Sequence, residues 1–215
     1  TLSLHDALPI SSAISTLVDE MMLEVQEVSN ARYLYQAYDF TLDEANQAIH
    51  LTNTDLVLKS KQLYSHLKYA KQIVLLAATL GIEVERQVRR YEFSEMTKAF
   101  VLDSACVDYI EKICDLAEVD IDAQFPDCVL NRRFSPGYGD LSLEIQPQFL
   151  KTLGADRLLG LTLTENYLMI PRKSITAILG LFEDDKVARP RRKPSKNLTI
   201  NMVKTGNFNV MGVTP

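Results

Sequence analysis

Arg133-Phe134-Ser135-Pro136-Gly137-Tyr138, followed some twenty-five residues later by Leu163-Thr164-Glu165-Asn166-Tyr167-Leu168-Met169-Ile170-Pro171, frames the reading of this chain. Pro136 fixes its own φ and pushes Ser135 into an extended conformation, while Gly137 can take positive φ and expose its backbone to a ligand. Arg133 offers a rigid fork of donors suited to a carboxylate, and Tyr138 a ring face with a hydroxyl. Six such residues make a loop whose backbone is held open with a side chain projecting from each end. On these six residues alone the plainer reading is a type II turn with a surface arginine and a packing tyrosine.

Working outward, the segment from Cys128 to Phe134 is expected as a strand that delivers the loop. Leu143 to Leu153 is expected as a helix with Pro147 in its first turn. Gly160 to Thr164, Tyr167 to Pro171 and Ser174 to Phe182 alternate as strands joined by short turns. Upstream, Lys71 to Thr79 is a continuous apolar run of strand length, the pattern of a strand covered on both faces.

Ile14, Leu17, Val18, Met21, Met22, Val25 and Val28 recur at spacings of three and four, which predicts an amphipathic helix over residues 11–28 with Ser15 or Thr16 as its cap. Arg32 to Phe40 reads as an aromatic-rich strand, with Tyr33, Tyr35 and Tyr38 as packing residues. Short strands follow between Asn46 and Leu58, broken at Thr52-Asn53-Thr54, and then a helix from Ser60 to Tyr69. A third helix is expected over Ile82 to Tyr91. The longest runs from Ser94 to Ala117, opened by Ser94 with Thr97 and presenting Met96, Ala99, Phe100, Val107, Ile110 and Cys114 on one apolar face. A polar break is expected near Asp120 to Asp127. This order gives an α+β fold with a mixed or antiparallel twisted sheet flanked by helices.

Together the two quoted stretches resemble the S-adenosylmethionine-binding activation domain of cobalamin-dependent methionine synthase. Arg133 through Gly137-Tyr138, then Thr164-Glu165, Pro171 and Ser174 carry the likeness. The stand-alone activation-domain proteins are more similar still, and Leu75-Leu-Ala-Ala-Thr-Leu-Gly81 and Leu102-Asp103-Ser104-Ala105 extend the resemblance to roughly Lys71 to Phe182. The resemblance implies an accessory protein that holds S-adenosylmethionine while a partner's cobalamin is reduced and remethylated. The implied partners are a cobalamin-dependent methionine synthase lacking its own activation domain and an electron-donor protein. It implies Arg133 at the ligand carboxylate or ribose, main-chain contacts from Pro136 and Gly137, Tyr138 against the adenosyl portion and Glu165 near the ammonium or sulfonium. Thr164 and Ser174 are further candidates. Val187-Ala188 stands where the multidomain enzyme has a tyrosine pair, and residues 197–208 lack the cysteine-rich stretch of many stand-alone relatives. These departures leave a second expectation, a non-enzymatic corrinoid-protein adaptor or sensor that has lost ligand binding.

Composition bounds the rest. A 47% hydrophobic content over 215 residues is ample for a packed core. No apolar run reaches the roughly 18 residues of a membrane-spanning helix, so no membrane partner is expected. Three cysteines, Cys106, Cys114 and Cys128, lack metal-type spacing and fit a reducing cytoplasm, with Cys106 and Cys114 as small apolar fillers of the long helix. Neither His50 nor His66 lies beside a sequence-adjacent nucleophile, so neither a catalytic residue nor a metal site is expected. Dinucleotide and P-loop fingerprints are absent.

The ends differ from the body. Residues 1–10 look like the translation of a sequencing-adapter oligonucleotide and are set aside from the fold. Residues 11–185 are expected as the activation-domain-like unit, with sixteen Lys and Arg against twenty-seven Asp and Glu. Residues 186–215 carry seven Lys and Arg and no acid, with Pro190 and Pro194, and are expected as a basic, poorly ordered tail. Without aromatic interleaving or a known module, that charge does not point to nucleic acid.

Overall fold

The computed structural model describes residues 12–183. The expectations for residues 1–10 and 186–215 lie outside them. The described chain is α+β, and its principal sheet is antiparallel throughout.

That sheet has four strands in the order β1-β5-β9-β6: β1 (Arg32–Tyr38), β5 (Gln72–Thr79), β9 (Ser174–Phe182) and β6 (Val129–Leu130). β5 and β9 pair along eight residues, from Gln72↔Leu181 to Thr79↔Ser174. Every residue of β5 from Ile73 to Thr79 is buried, as the unbroken apolar run predicts for a strand covered on both sides.

Strand alternation sends Val74, Leu76 and Ala78 of β5 to one face and Ile73, Leu75 and Ala77 to the other. The first face packs under α1 (Ser12–Val28), α3 (Glu83–Ser94) and α4 (Met96–Gln124). The second packs under α2 (Lys61–Leu67), α5 (Gln146–Leu153) and α6 (Ala155–Leu158). This second core also receives the small sheet β2 (Phe40–Asp43), β3 (Ala48–Leu51), β4 (Val57–Lys59) and the hairpin β7 (Thr162–Leu163)–β8 (Met169–Ile170).

The aromatic strand expected over residues 32–40 divides at Asp39. The chain leaves the principal sheet there, with the Asp39 carbonyl accepting from Thr52 N and its carboxylate accepting from Gln72 Nε2. Tyr33 and Tyr35 lie half-buried on the α4 face and donate to Asp120 and Gln124 Oε1. Those contacts explain why α4 runs through the expected polar break to Gln124. Asp120 and Gln124 face strand tyrosines while Ile113, Cys114, Ala117 and Ile121 continue the buried stripe. Pro126 follows just beyond its end.

Other expectations need correction. Ser15 and Thr16 lie inside α1, which already begins at Ser12. Ser94 closes α3 instead of capping α4, whose N-cap Glu95 makes no side-chain capping bond, so Ser94 and Thr97 form no capping box. On α4, Ala99, Ile110 and Cys114 are buried, but Met96, Phe100 and Val107 are exposed, because the chain turns at Glu95 and the helix meets α1 and α3 along a different stripe. The strand expected over 128–134 shrinks to β6 plus a bridge between Phe134 and Ile178. Asn131 interrupts it by substituting its side chain for a ladder partner, with Oδ1 accepting from Gly180 N at 2.8 Å. The helix expected over 143–153 opens as a 3-10 turn, Leu143–Ile145, before α5.

Two substitutions separate the core from the surface. Leu76→Ala, in the fully buried centre of β5, should lower unfolding free energy by about 3 kcal/mol in urea titration. Phe93→Ser, at a side chain 93% exposed, should change it by less than about 0.5 kcal/mol.

Candidate ligand-binding site

The loop after β6 is held at the sheet margin by backbone ties on both sides. Phe134 N donates to Ile178 O at 2.9 Å and Ile178 N to Phe134 O at 2.8 Å. Asn131, fully buried, bonds Gly180 through its side-chain oxygen and the His66 carbonyl through Nδ2. His66 Nε2 in turn lies 2.8 Å from the Arg132 carbonyl.

Within the loop, Tyr138 N donates to Ser135 O at 3.0 Å, with Pro136 and Gly137 at the central positions and Gly137 at φ 85°. This is the type II turn that the Pro-Gly pair specifies. A Cβ on Gly137 would also stand 3.0 Å from Leu143 Cδ2. A second turn follows, closed by Leu141 N to Tyr138 O at 3.2 Å, with Gly139 at φ 58° against Gln62.

Asp140 fastens this end of the loop. Its carboxylate accepts from the Ser60 hydroxyl and from the main-chain N–H groups of Lys61 and Gln62, the open donors at the start of α2. Ser60 Oγ meanwhile accepts from Leu63 N, so serine and aspartate cap one helix together. The Ser60 hydroxyl and these N–H groups hold the Asp140 carboxyl below its ordinary range.

The two side chains expected to flank a common pocket are not brought together. Arg133 turns toward α4, where Nη2 meets Glu111 at 2.8 Å and Asp115 at 3.3 Å, and Nε meets Glu118 at 3.2 Å. Tyr138 lies across the opposite face of the sheet, edge-on to Phe134 with ring centroids 5.4 Å apart. Successive residues of an extended chain point to opposite faces, so Arg133 and Phe134 diverge and Tyr138 follows Phe134. Arg133 Nη1 is buried without a hydrogen-bond partner.

The remaining candidates share the Tyr138 face. Thr164 shapes the β7–β8 hairpin, its Oγ1 accepting from Leu168 N and its carbonyl from Tyr167 N. Glu165 stands exposed at the tip of that hairpin, whose Leu163 and Met169 pack on the second core. Ser174 is buried at the start of β9, donating to Pro171 O at 2.7 Å and lying 2.8 Å from Thr79 Oγ1. Its hydroxyl thus closes the turn into the strand.

Several members of this region were not singled out from sequence: Asn131, Asp140, Ser60 and the α4 carboxylates. Glu111, Asp115 and Glu118 do carry a readable signal, since spacings of four and three place them on one helical face. Long-range anchors such as Asn131 to Gly180 carry none. Burial pushes the Cys106 thiol up to about 11 and the Cys114 thiol up to about 12, so neither is a nucleophile at neutral pH. Among the described residues no three His, Cys, Asp or Glu side chains are grouped to hold a metal, and no helix is long and apolar enough to cross a membrane.

No family model matches this chain, and no curated protein does. Among solved structures it is similar to the MetH reactivation domain bound to AdoHcy, at 17% identity and a TM-score of 0.55, over 88% of this chain and 72% of that one. At that identity the likeness establishes the fold.

Two measurements test the anchors. Arg133→Ala removes the guanidinium whose Nε lies 3.2 Å from Glu118, only 5% exposed, and should cost about 2 kcal/mol in denaturant unfolding. The depressed Asp140 carboxyl contributes stability that is present above about pH 4 and lost as pH falls through its folded value. Asp140→Asn should therefore lower the melting temperature at pH 7 and shrink the gap from the parent at pH 3, read by circular dichroism.

Proposed function

We propose that this protein binds S-adenosylmethionine and serves as an accessory factor in the reductive reactivation of a cobalamin-dependent methionine synthase. One observation carries the reading: a chain whose sequence resembles that activation-domain family also has the fold of a reactivation domain that was solved with AdoHcy. AdoHcy is what S-adenosylmethionine becomes once its methyl group has left.

In this reading the ligand lies along the margin of the sheet, where β6 is an edge strand and both faces can be reached. Tyr138, 66% exposed, packs against the adenosyl portion, and Pro136 and Gly137 offer main-chain groups, Gly137 from an exposed position. Glu165 places negative charge near the ammonium or sulfonium, with Thr164 and Ser174 supporting the hairpin and the turn beside it. Arg133 reaches the ligand carboxylate by leaving Glu111, Asp115 and Glu118, since its unpartnered Nη1 is buried. The cobalamin is the partner's and supplies the nucleophile that takes the methyl group. What this chain's residues supply is orientation, which alone can lower a barrier by roughly 7 kcal/mol.

A second reading, the adaptor that has lost its ligand, is favoured by one feature. The Arg133 guanidinium is already engaged by Glu111, Asp115 and Glu118 of its own chain.

Calorimetry separates the two. S-adenosylmethionine should bind the parent, Tyr138→Ala should weaken binding by about 1 kcal/mol, and Arg133→Ala by about 2 kcal/mol, with both variants assayed where they are folded. In a mixture with an oxidised methionine synthase lacking its activation domain, an electron donor and S-adenosylmethionine, the cobalt spectrum should return to methylcobalamin. An absence of any heat of binding together with capture of the corrinoid partner selects the adaptor.

A further inference from the structure

Strand β1 forms the margin of the principal sheet opposite β6, and among the described residues no strand pairs with its outer edge. Ile178 exchanges both main-chain bonds with Phe134, which turns the groups of even-numbered β9 residues away from β5. Alternation through the two registers then points the main-chain groups of Arg32, Leu34, Gln36 and Tyr38 toward β5 and those of Tyr33, Tyr35 and Ala37 outward. The outward N–H and C=O groups have no hydrogen bond among the described residues. Past Tyr38 the edge is taken, since Asp39 O accepts from Thr52 N at 2.8 Å. An open edge is a template for another strand, and proteins that keep one bare blunt it with lysine, proline or a bulge. β1 has none of these: it reads Arg-Tyr-Leu-Tyr-Gln-Ala-Tyr and pairs with β5 one for one along its whole length.

The chain beyond the described residues contains a segment that suits this edge. Leu198-Thr199-Ile200-Asn201-Met202 alternates apolar and polar residues, the period of a strand with one face covered. Its reach is sufficient. β9 finishes at the same end of the sheet as β1, since Gly180 and Tyr38 both lie opposite Ile73. The fifteen residues 183–197 can span roughly 50 Å when extended, against about 15 Å for three strand spacings. Charge favours the same route. Residues 186–197 hold six Lys and Arg and no acid, whereas residues 113–131, which carry α4 past β1 and on into β6, hold five acids and no base. Arg133 meets Asp115 and Glu118 of that stretch, which still leaves it acidic, with Asp120 beside the Tyr33 hydroxyl at the edge itself.

We propose that residues 198–202 add a fifth strand to the principal sheet, antiparallel to β1, with Leu198, Ile200 and Met202 opposite Ala37, Tyr35 and Tyr33. That register gives every outward main-chain group of Tyr33, Tyr35 and Ala37 a partner. It also lays three apolar side chains beside Tyr33, Tyr35 and Ala37, which are only partly covered where they pack on the first core. Thr199 and Asn201 fall opposite Gln36 and Leu34. The basic connection crosses the acidic end of α4 on its way, which fixes the direction from which the strand enters. This docking is independent of the sulfonium-binding reading and uses none of its residues.

Amide hydrogen exchange, followed by two-dimensional NMR on the full isotopically labelled chain, tests the docking. The Tyr33, Tyr35 and Ala37 amides should exchange about tenfold or more slowly than in Ile200→Pro, which removes the N–H that faces Tyr35. The Leu76 amide at the centre of the sheet should exchange alike in both chains and so report that each is folded. Ile200→Val should keep the protection. Nuclear Overhauser contacts should join Hα of Gln36 to Hα of Thr199 and Hα of Leu34 to Hα of Asn201, the close pairs of this register. Free exchange of the three amides in the parent, exchange unchanged by Ile200→Pro, or absence of both contacts would each overturn the proposal. So would protection that rises with protein concentration, which assigns the edge to a second copy of the chain.

Discussion

The β5–β9 ladder is the constraint on which the rest of the structure depends. Eight paired residues at the centre of the principal sheet bury both faces, and each face nucleates a separate hydrophobic core. A buried strand can leave no ladder group unpaired without a desolvation cost. Where the ladder is interrupted, side chains must therefore take over. Asn131 does this opposite Gly180 on the β6 side of β9, while at the intact far end of the ladder the Ser174 hydroxyl adds a bond to Thr79 Oγ1. Both points lie next to the segments that carry the candidate ligand residues.

The loop at residues 133–140 is open in sequence but closed in space. Its two turns are internal, yet its position comes from three distant attachments: Phe134 on Ile178, Arg133 on α4 and Asp140 on the start of α2. Each lies on a different element, so the loop reports the mutual placement of the sheet and both helical layers. A ligand bound there would meet a backbone already ordered, which reduces the entropy lost on binding.

Much of this was legible from the chain. The apolar run at 71–79 announces a strand buried on both sides, and the Pro-Gly pair announces the type II turn. The long helix was legible in its existence and not in its end or its face. Asp120 and Gln124 look like a terminus until Tyr33 and Tyr35 are seen to receive them. Met96, Phe100 and Val107 fit a helical apolar stripe, but periodicity cannot say which of two overlapping stripes meets a neighbour, and α1 and α3 take the other.

By itself the sequence determined the α+β order, the central buried strand and the turn chemistry of the loop. Each is set by neighbours within a few positions, through φ preferences, side-chain period and turn residues. Only the tertiary structure decided that Arg133 faces α4 while Tyr138 faces the second core, and that Asp140 caps a helix some eighty residues upstream. Those facts depend on which elements pack together, and the free energy that settles packing comes from contacts between residues far apart in the chain.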